Sequence, residues 1–309
     1  MAWPTRGFVF ADRMAAAGAG YGRLSRTAKA ALFVLLGLYL VALLAPMIAP
    51  YDPSRQLDIV ALKSQPPSMA HPFGTDSFSR DVLTRVMYGT RVSLSIALLA
   101  VMVSAAVGTV YGLVAAAAGG LVDSILMRLL DAMLAIPRVL LLLAILAIWS
   151  PVPLATLVLL LGLTGWFETS RLVRAEALTL RERDFVTAAR SLGAGRRRIV
   201  FRHLLPNVLV PVIVAATLGI GNVIVLEAGL SFIGVGTREP AASLGTMFQQ
   251  GTQAFAGTWW LALFPGLVLV ASVLAVNVLG DGLRTLLDPR QVHAARPGTP
   301  SAASAPAVM

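Results

Sequence analysis

Few side chains in this 309-residue sequence are placed to do chemistry, and their spacing excludes most enzymatic classes. A nucleotide-phosphate loop needs a lysine after a glycine, but the two lysines, Lys29 and Lys63, follow Ala28 and Leu62. Neither an HExxH metal motif nor a GxSxG nucleophile turn occurs, and NVLGDG around Asp281 is not the GxGD of an intramembrane aspartyl protease. His71, His203 and His293 are too scattered for a metal site, and without cysteine there is no thiolate ligand and no disulfide framework. Two sets of residues remain. Glu227, Asn222 and Asn277 lie in otherwise apolar stretches, where a polar side chain is a functional candidate. They could together line a cavity for ammonium or amide groups; the reading the sequence favours puts Glu227 at the membrane interface and bonds the asparagines across helices. The second set is five arginines within thirteen residues: Arg190, Arg196, Arg197, Arg198 and Arg202.

The elements that must position these residues are membrane spans. Hydrophobic residues make up 57% of the chain and charged residues 13%, with a mean hydropathy of +0.79, outside the range of soluble domains. About 20 apolar residues cross the ~30 Å hydrocarbon layer. Windows with few or no charges give six candidate spans, at 28–49, 92–118, 128–149, 152–170, 206–230 and 258–280. The first follows a polar, glycine-rich leader and reads as a retained anchor rather than a cleaved signal. The third begins among Arg128 and Asp131 and passes Pro137 and Arg138, which predicts a kinked cytoplasmic end. SPVP at 150–153 predicts a tight turn into the fourth. Trp259 and Trp260 open the sixth as an interfacial anchor.

The net charge of +10 and pI near 11.1 suit nucleic acid, but topology accounts for them better. With both termini inside, the leader, the 171–202 loop and the tail carry seventeen Arg and Lys against six outside, with Arg128 and Arg138 left unassigned. An arginine at mid-bilayer costs roughly 2.5–3.5 kcal/mol even on insertion scales, so the nine in 171–202 lie outside the hydrocarbon. Asp131 and Asp281 pair structurally with Arg128 or Arg284, and Arg196 to Arg198 mostly face lipid phosphate and water. The tail after Pro289, rich in Pro, Ala and Ser, reads as disordered. Outside, the prolines between 50 and 72 make an extended lead-in to a short surface helix that Thr75 or Asp76 caps. Its Phe78, Val82 and Val86 repeat every four residues, and Asp81 and Arg85 form an i,i+4 pair.

A basic loop that only marked topology would need charge alone. TAARSLGAGRRRIVFRHLLPN (187–207) has more. Asp184 is placed to cap a helix whose Phe185, Ala188, Ala189 and Leu192 share one narrow apolar face. Gly193, helped by Gly195, supplies the left-handed turn that ends it. A second segment, with Ile199 and His203 one turn apart, stops at Leu205-Pro206, where Pro206 opens the fifth span. The product is a helix-turn-helix elbow whose small residues let another protein approach closely.

The spacing of Ala188-Ala189, Gly193 and Leu205-Pro206 resembles the cytoplasmic signature of ATP-binding-cassette importer permeases, with Thr187 standing where the family pattern has Glu and His203 where it has Ile. Segments 71–94, 119–137 and 264–290 resemble the branch serving dipeptides, oligopeptides and nickel, in particular its C-type inner-membrane subunit. Phe73 and Ser79 replace that branch's usual Leu and Gly. The resemblance covers roughly residues 28–290 and implies an all-α, polytopic type I importer permease with six spans in the bacterial inner (plasma) membrane. Its implied parts are a cytoplasmic leader (1–27), a first transmembrane helix with its extracytoplasmic loop (28–91), a core permease domain (92–283) and a cytoplasmic tail (284–309). The elbow, within the 171–205 coupling loop, would dock on a separate ATPase through Asp184, Phe185, Thr187, Ala188, Ala189, Leu192, Gly193, Leu205 and Pro206. The implied partners are a homologous B-type permease, two ATPase subunits that hold the ATP and Mg, an extracytoplasmic substrate-binding protein and membrane lipid, with no nucleic acid. No cofactor or metal is expected on this chain, and peptide, nickel, glutathione or an opine-like solute would all suit the scaffold. The rivals are a transporter or channel that works alone, for which mid-depth ionisable groups and inverted repeats are lacking, and a membrane-embedded enzyme, which the absent motifs disfavour.

Overall fold

The structure, a computed structural model, describes residues 24–148, 152–237, 241–254 and 257–287. Most of the leader, half of the SPVP turn, Arg238, His293 and most of the tail lie outside the described residues. Among the described residues all regular elements are helical, apart from one antiparallel bridge between Thr75 and Asp81. Helix α1 (Arg26–Ile48) begins where the Ser25 hydroxyl accepts from the Ala28 N–H at 3.1 Å. Helix α2 (Val82–Ala118) runs 37 residues without a break. Next come α3 (Gly120–Leu134) and α4 (Arg138–Ile148), which meet at a 72° bend. Pro137 causes it, since proline forces the preceding residue out of helical geometry. The expected kink is therefore present.

The expected fourth span is not one helix. It is α5 (Leu154–Leu163) followed, after Thr164 and Gly165, by α6 (Trp166–Arg181). The elbow consists of α7 (Asp184–Ser191) and α8 (Arg196–Ile199); a π turn (Val200–Leu204) then leads into α9 (Leu205–Phe232). Helices α10 (Leu244–Gln253) and α11 (Trp260–Leu287) complete the chain. Among the described residues four stretches are long and apolar enough to cross a membrane: α1, α2, the helical run 196–232 and α11; the bent α3–α4 pair makes up to five.

Helix α2 is the axis of the bundle. A Cβ on Gly108 would stand 2.6 Å from Thr169 Cβ, and one on Gly112 2.5 Å from Ser170 O, so only glycine lets α6 lie this close. The main core joins α1, α2, α4, α5, α9 and α11 through residues such as Leu35, Ala97, Leu142, Leu161, Ile224 and Val276.

The end expected to lie outside departs from expectation. No separate surface helix forms, and the proposed boundary at residue 92 falls inside α2. The cap is Asp81, whose carboxylate accepts from the Thr84 N–H at 2.8 Å, rather than Thr75 or Asp76. Asp81 also bonds His71 Nδ1 at 3.0 Å, so Arg85 turns to Asp76, which takes Arg80 Nε at 2.7 Å as well. The loop folds back on itself, and that places Asp76 beside Arg85 although they are nine residues apart. Trp260, 4% exposed, is no interfacial anchor: its Nε1–H donates to Thr75 O at 3.2 Å, and its ring packs with Val82, Val86, Leu244 and Met247.

Candidate functional site

The elbow is fixed to the bundle by one side of α7 and offers the other. Val186 is fully buried against Val173 and Ala177 of α6, Leu113 and Ala116 of α2, and Ile199 and Leu204 beyond the turn. Phe185 is 44% exposed and Leu192 81%; Thr187 and Ala188 are exposed and Ala189 is half-buried. The apolar face read from the sequence thus points away from the protein's own core. Exposed large apolar groups on a helix already anchored elsewhere mark a surface built for a partner.

Arg183, in extended conformation, is the cap position of α7, and Asp184 is the first helical residue, so Asp184 does not cap the helix through its side chain. Its charge instead sits in the first turn, where the helix dipole favours an anion. Gly193 has φ +80°, the left-handed conformation expected of it. The Gly193 N–H donates to Arg190 O at 2.9 Å and the Ala194 N–H to Ala189 O at 3.0 Å, the paired bonds of a Schellman stop.

The second limb does not stop at Leu205-Pro206. The Leu205 N–H reaches back five residues to Val200 O, and the helix continues through Pro206 into α9. The wide turn accommodates a proline that cannot donate and whose ring would crowd a regular α-turn. Asn207 Nδ2 donates to His203 O at 2.7 Å. Leu205 and Pro206 are half-buried.

Several arginines of the basic loop have structural partners. Arg181 Nη1 bonds Ala116 O and Arg196 Nη2 bonds Ala118 O at 2.9 Å, so two guanidinium groups satisfy the last carbonyls of α2 at the negative end of its dipole. Arg196 therefore does more than face lipid and water. Arg174 forks onto Asp123, both bonds 2.6 Å, and Arg171 holds Asp131, tying α6 to α3; Asp131 does not use Arg128. Asp281 makes no ion pair among the described residues. Arg197 and Arg198 are exposed.

The three polar residues of the spans do not share a cavity. Glu227 is fully buried, and its carboxylate accepts from Ser93 Oγ at 3.1 Å and Ser231 Oγ at 2.7 Å. Ser93 accepts in turn from the Leu244 N–H, and Ser231 from Ser243, so the cluster ties α2, α9 and the start of α10 together. Asn277 lies against Gly221, where a Cβ would come within 2.8 Å of Asn277 Oδ1. Asn222 lines a crevice with Arg138 and Glu168, two residues the sequence reading did not select. Their signals were a lone Glu inside an apolar window and an Arg directly after the kinking Pro137.

Residues 108–293 match the family described as binding-protein-dependent transport system inner membrane component, and residues 23–67 match the N-terminal transmembrane domain of oligopeptide transport permease C. A putative peptide transport system permease protein of Brucella suis is 44% identical over 265 residues, 86% of this chain and 88% of that protein. Dipeptide transport system permease proteins are 40% identical in Haemophilus influenzae, over 87% of this chain and 92% of the relative, and 37% identical in Bacillus subtilis, over 86% and 82%.

Proposed function

The chain belongs to the family of binding-protein-dependent transport inner membrane components, and we propose that it is the C-type permease of an ATP-driven importer of di- or oligopeptides. Its relatives are named for peptide or dipeptide transport, which supports peptide over nickel or an opine. The chain crosses the membrane six times with both termini inside: α1, α2, the α3–α4 pair, the α5–α6 pair, α9 and α11 are the crossings. A homologous B-type permease completes the pathway, a substrate-binding protein delivers the solute from outside, and two ATPase subunits bind and hydrolyse the ATP with its Mg.

One observation carries this reading: the exposed ridge of Phe185, Ala188 and Leu192, on a helix that Val186 pins to the bundle. The ridge seats in a cleft of the ATPase, and because Val186 couples it to α2 and α6, closure of the ATPases moves the helices as bodies. The chain has no cysteine, so Ala188→Cys gives a single reactive site. In the assembled importer it is expected to crosslink to an ATPase subunit carrying cysteines in its cleft, with the yield changing on ATP binding. An intact complex that gives no crosslink at any cleft position overturns the docking assignment.

A further inference from the structure

Helix α9 places Asn222 about 15 Å of rise before Phe232 and about 25 Å after Leu205, deep within an apolar run. Its carboxamide lines a crevice of about 360 Å³ formed by α2, α4, α5, α6 and α9, within the size range of small-molecule sites. Two ionisable groups share this crevice. Arg138 stands at the break between α3 and α4; Glu168 lies in the first turn of α6, just past the break at Thr164 and Gly165.

Part of Arg138 has a structural task. Its Nη2 donates to Leu161 O at 2.7 Å and its Nε to Thr164 Oγ1 at 3.2 Å, which satisfies polar groups exposed where α5 ends. These bonds use two of the five guanidinium N–H donors. Glu168 is exposed, forms no hydrogen bond or ion pair among the described residues, and acts on Arg138 only through space. A carboxylate and a guanidinium held apart at this depth are costly against lipid and persist where water or a ligand meets them. Along one wall the crevice therefore offers a fork for a carboxylate, an anion for an ammonium, and an amide for a peptide bond.

Building on the permease reading above, we infer that this crevice is a waypoint for a peptide with free termini, its carboxylate on Arg138, its ammonium on Glu168 and its backbone amide on Asn222. The chemistry selects a zwitterion. A solute blocked at one end loses one contact, and a metal ion finds a single carboxylate.

The test uses the complete importer in proteoliposomes with its binding protein, and dialanine as the probe. The quantity read is dialanine imported per ATP hydrolysed. Arg138→Gln and Glu168→Gln are each expected to lower it about tenfold while binding-protein-stimulated ATP hydrolysis and assembly stay at the wild-type level. Arg138→Lys, which keeps charge without the fork, is expected to retain an intermediate yield. An unchanged ratio in both glutamine variants overturns the waypoint. So does failure of both to assemble with the sister permease, which would make the crevice a subunit contact. A wild-type importer that does not accumulate dialanine overturns the peptide reading itself, and wild-type import with unchanged variants overturns the waypoint alone.

Discussion

The two ends of the molecule handle their unusual side chains in opposite ways. At the end proposed to lie outside, His71, Asp76, Arg80, Asp81 and Arg85 are all buried, and each bonds another of the group. At the elbow, Phe185 and Leu192 are left in the open and only Val186 goes inward. Charges taken out of water must be matched or the fold fails, so the first of these ends is a rigid cap. Apolar groups left in water cost less and stay available, which supports the proposed docking of the elbow on another chain. A damaged cap should therefore cost stability, and a damaged elbow should cost transport.

The harshest way to test that contrast is Asp76→Ala. It strips two buried guanidinium groups of the carboxylate they share, and breaking such a buried pair costs about 3–5 kcal/mol. The expected result is a large fall in folded protein and in the unfolding midpoint in detergent; an unchanged midpoint would make the cap no stiffer than the elbow. Gly193→Val comes next. Nothing lies within 4 Å of a Cβ there, so the cost is the left-handed backbone alone, about 1–2 kcal/mol, and it falls on the turn. Insertion and abundance are expected to hold while ATP-driven uptake is lost; normal uptake in a stably expressed variant would break the elbow's side of the comparison.

The smallest effect has the opposite sign. Ser79 is a non-glycine residue at φ +58°, and its buried hydroxyl has no hydrogen-bond partner among the described residues. Ser79→Gly removes both defects and is expected to raise stability by about 1 kcal/mol, read as a higher unfolding midpoint with transport unchanged. A lower midpoint would mean that the strain at Ser79 serves the cap.

The elbow was the most legible part of the sequence, because its features are local: the spacing of Phe185, Ala188, Ala189 and Leu192, and a glycine where the chain must turn left. Val186 could not be chosen over Phe185 as the inward residue, since that depends on where α2 and α6 lie. The cap misled for a similar reason. Spacing along a helix paired Asp81 with Arg85, but Asp81 stands before the helix begins, and the backbone reversal at Thr75 brings Asp76 into reach instead. Arg138 and Glu168 were not selected as site residues because each breaks an apolar run next to a helix break, and only the assembled bundle sets the two breaks side by side. The break that divides the expected fourth span left no proline to signal it.

The π turn at Val200–Leu204 holds one residue more than a regular winding would. Each residue turns an α-helix by about 100°, so this surplus sets the compass bearing of the limb below it. Loss of a single codon there would swing the ridge a quarter-circle or more from its heading while every residue of the ridge stayed the same. Under the proposed docking, length in this short stretch is therefore as much a functional specification as composition.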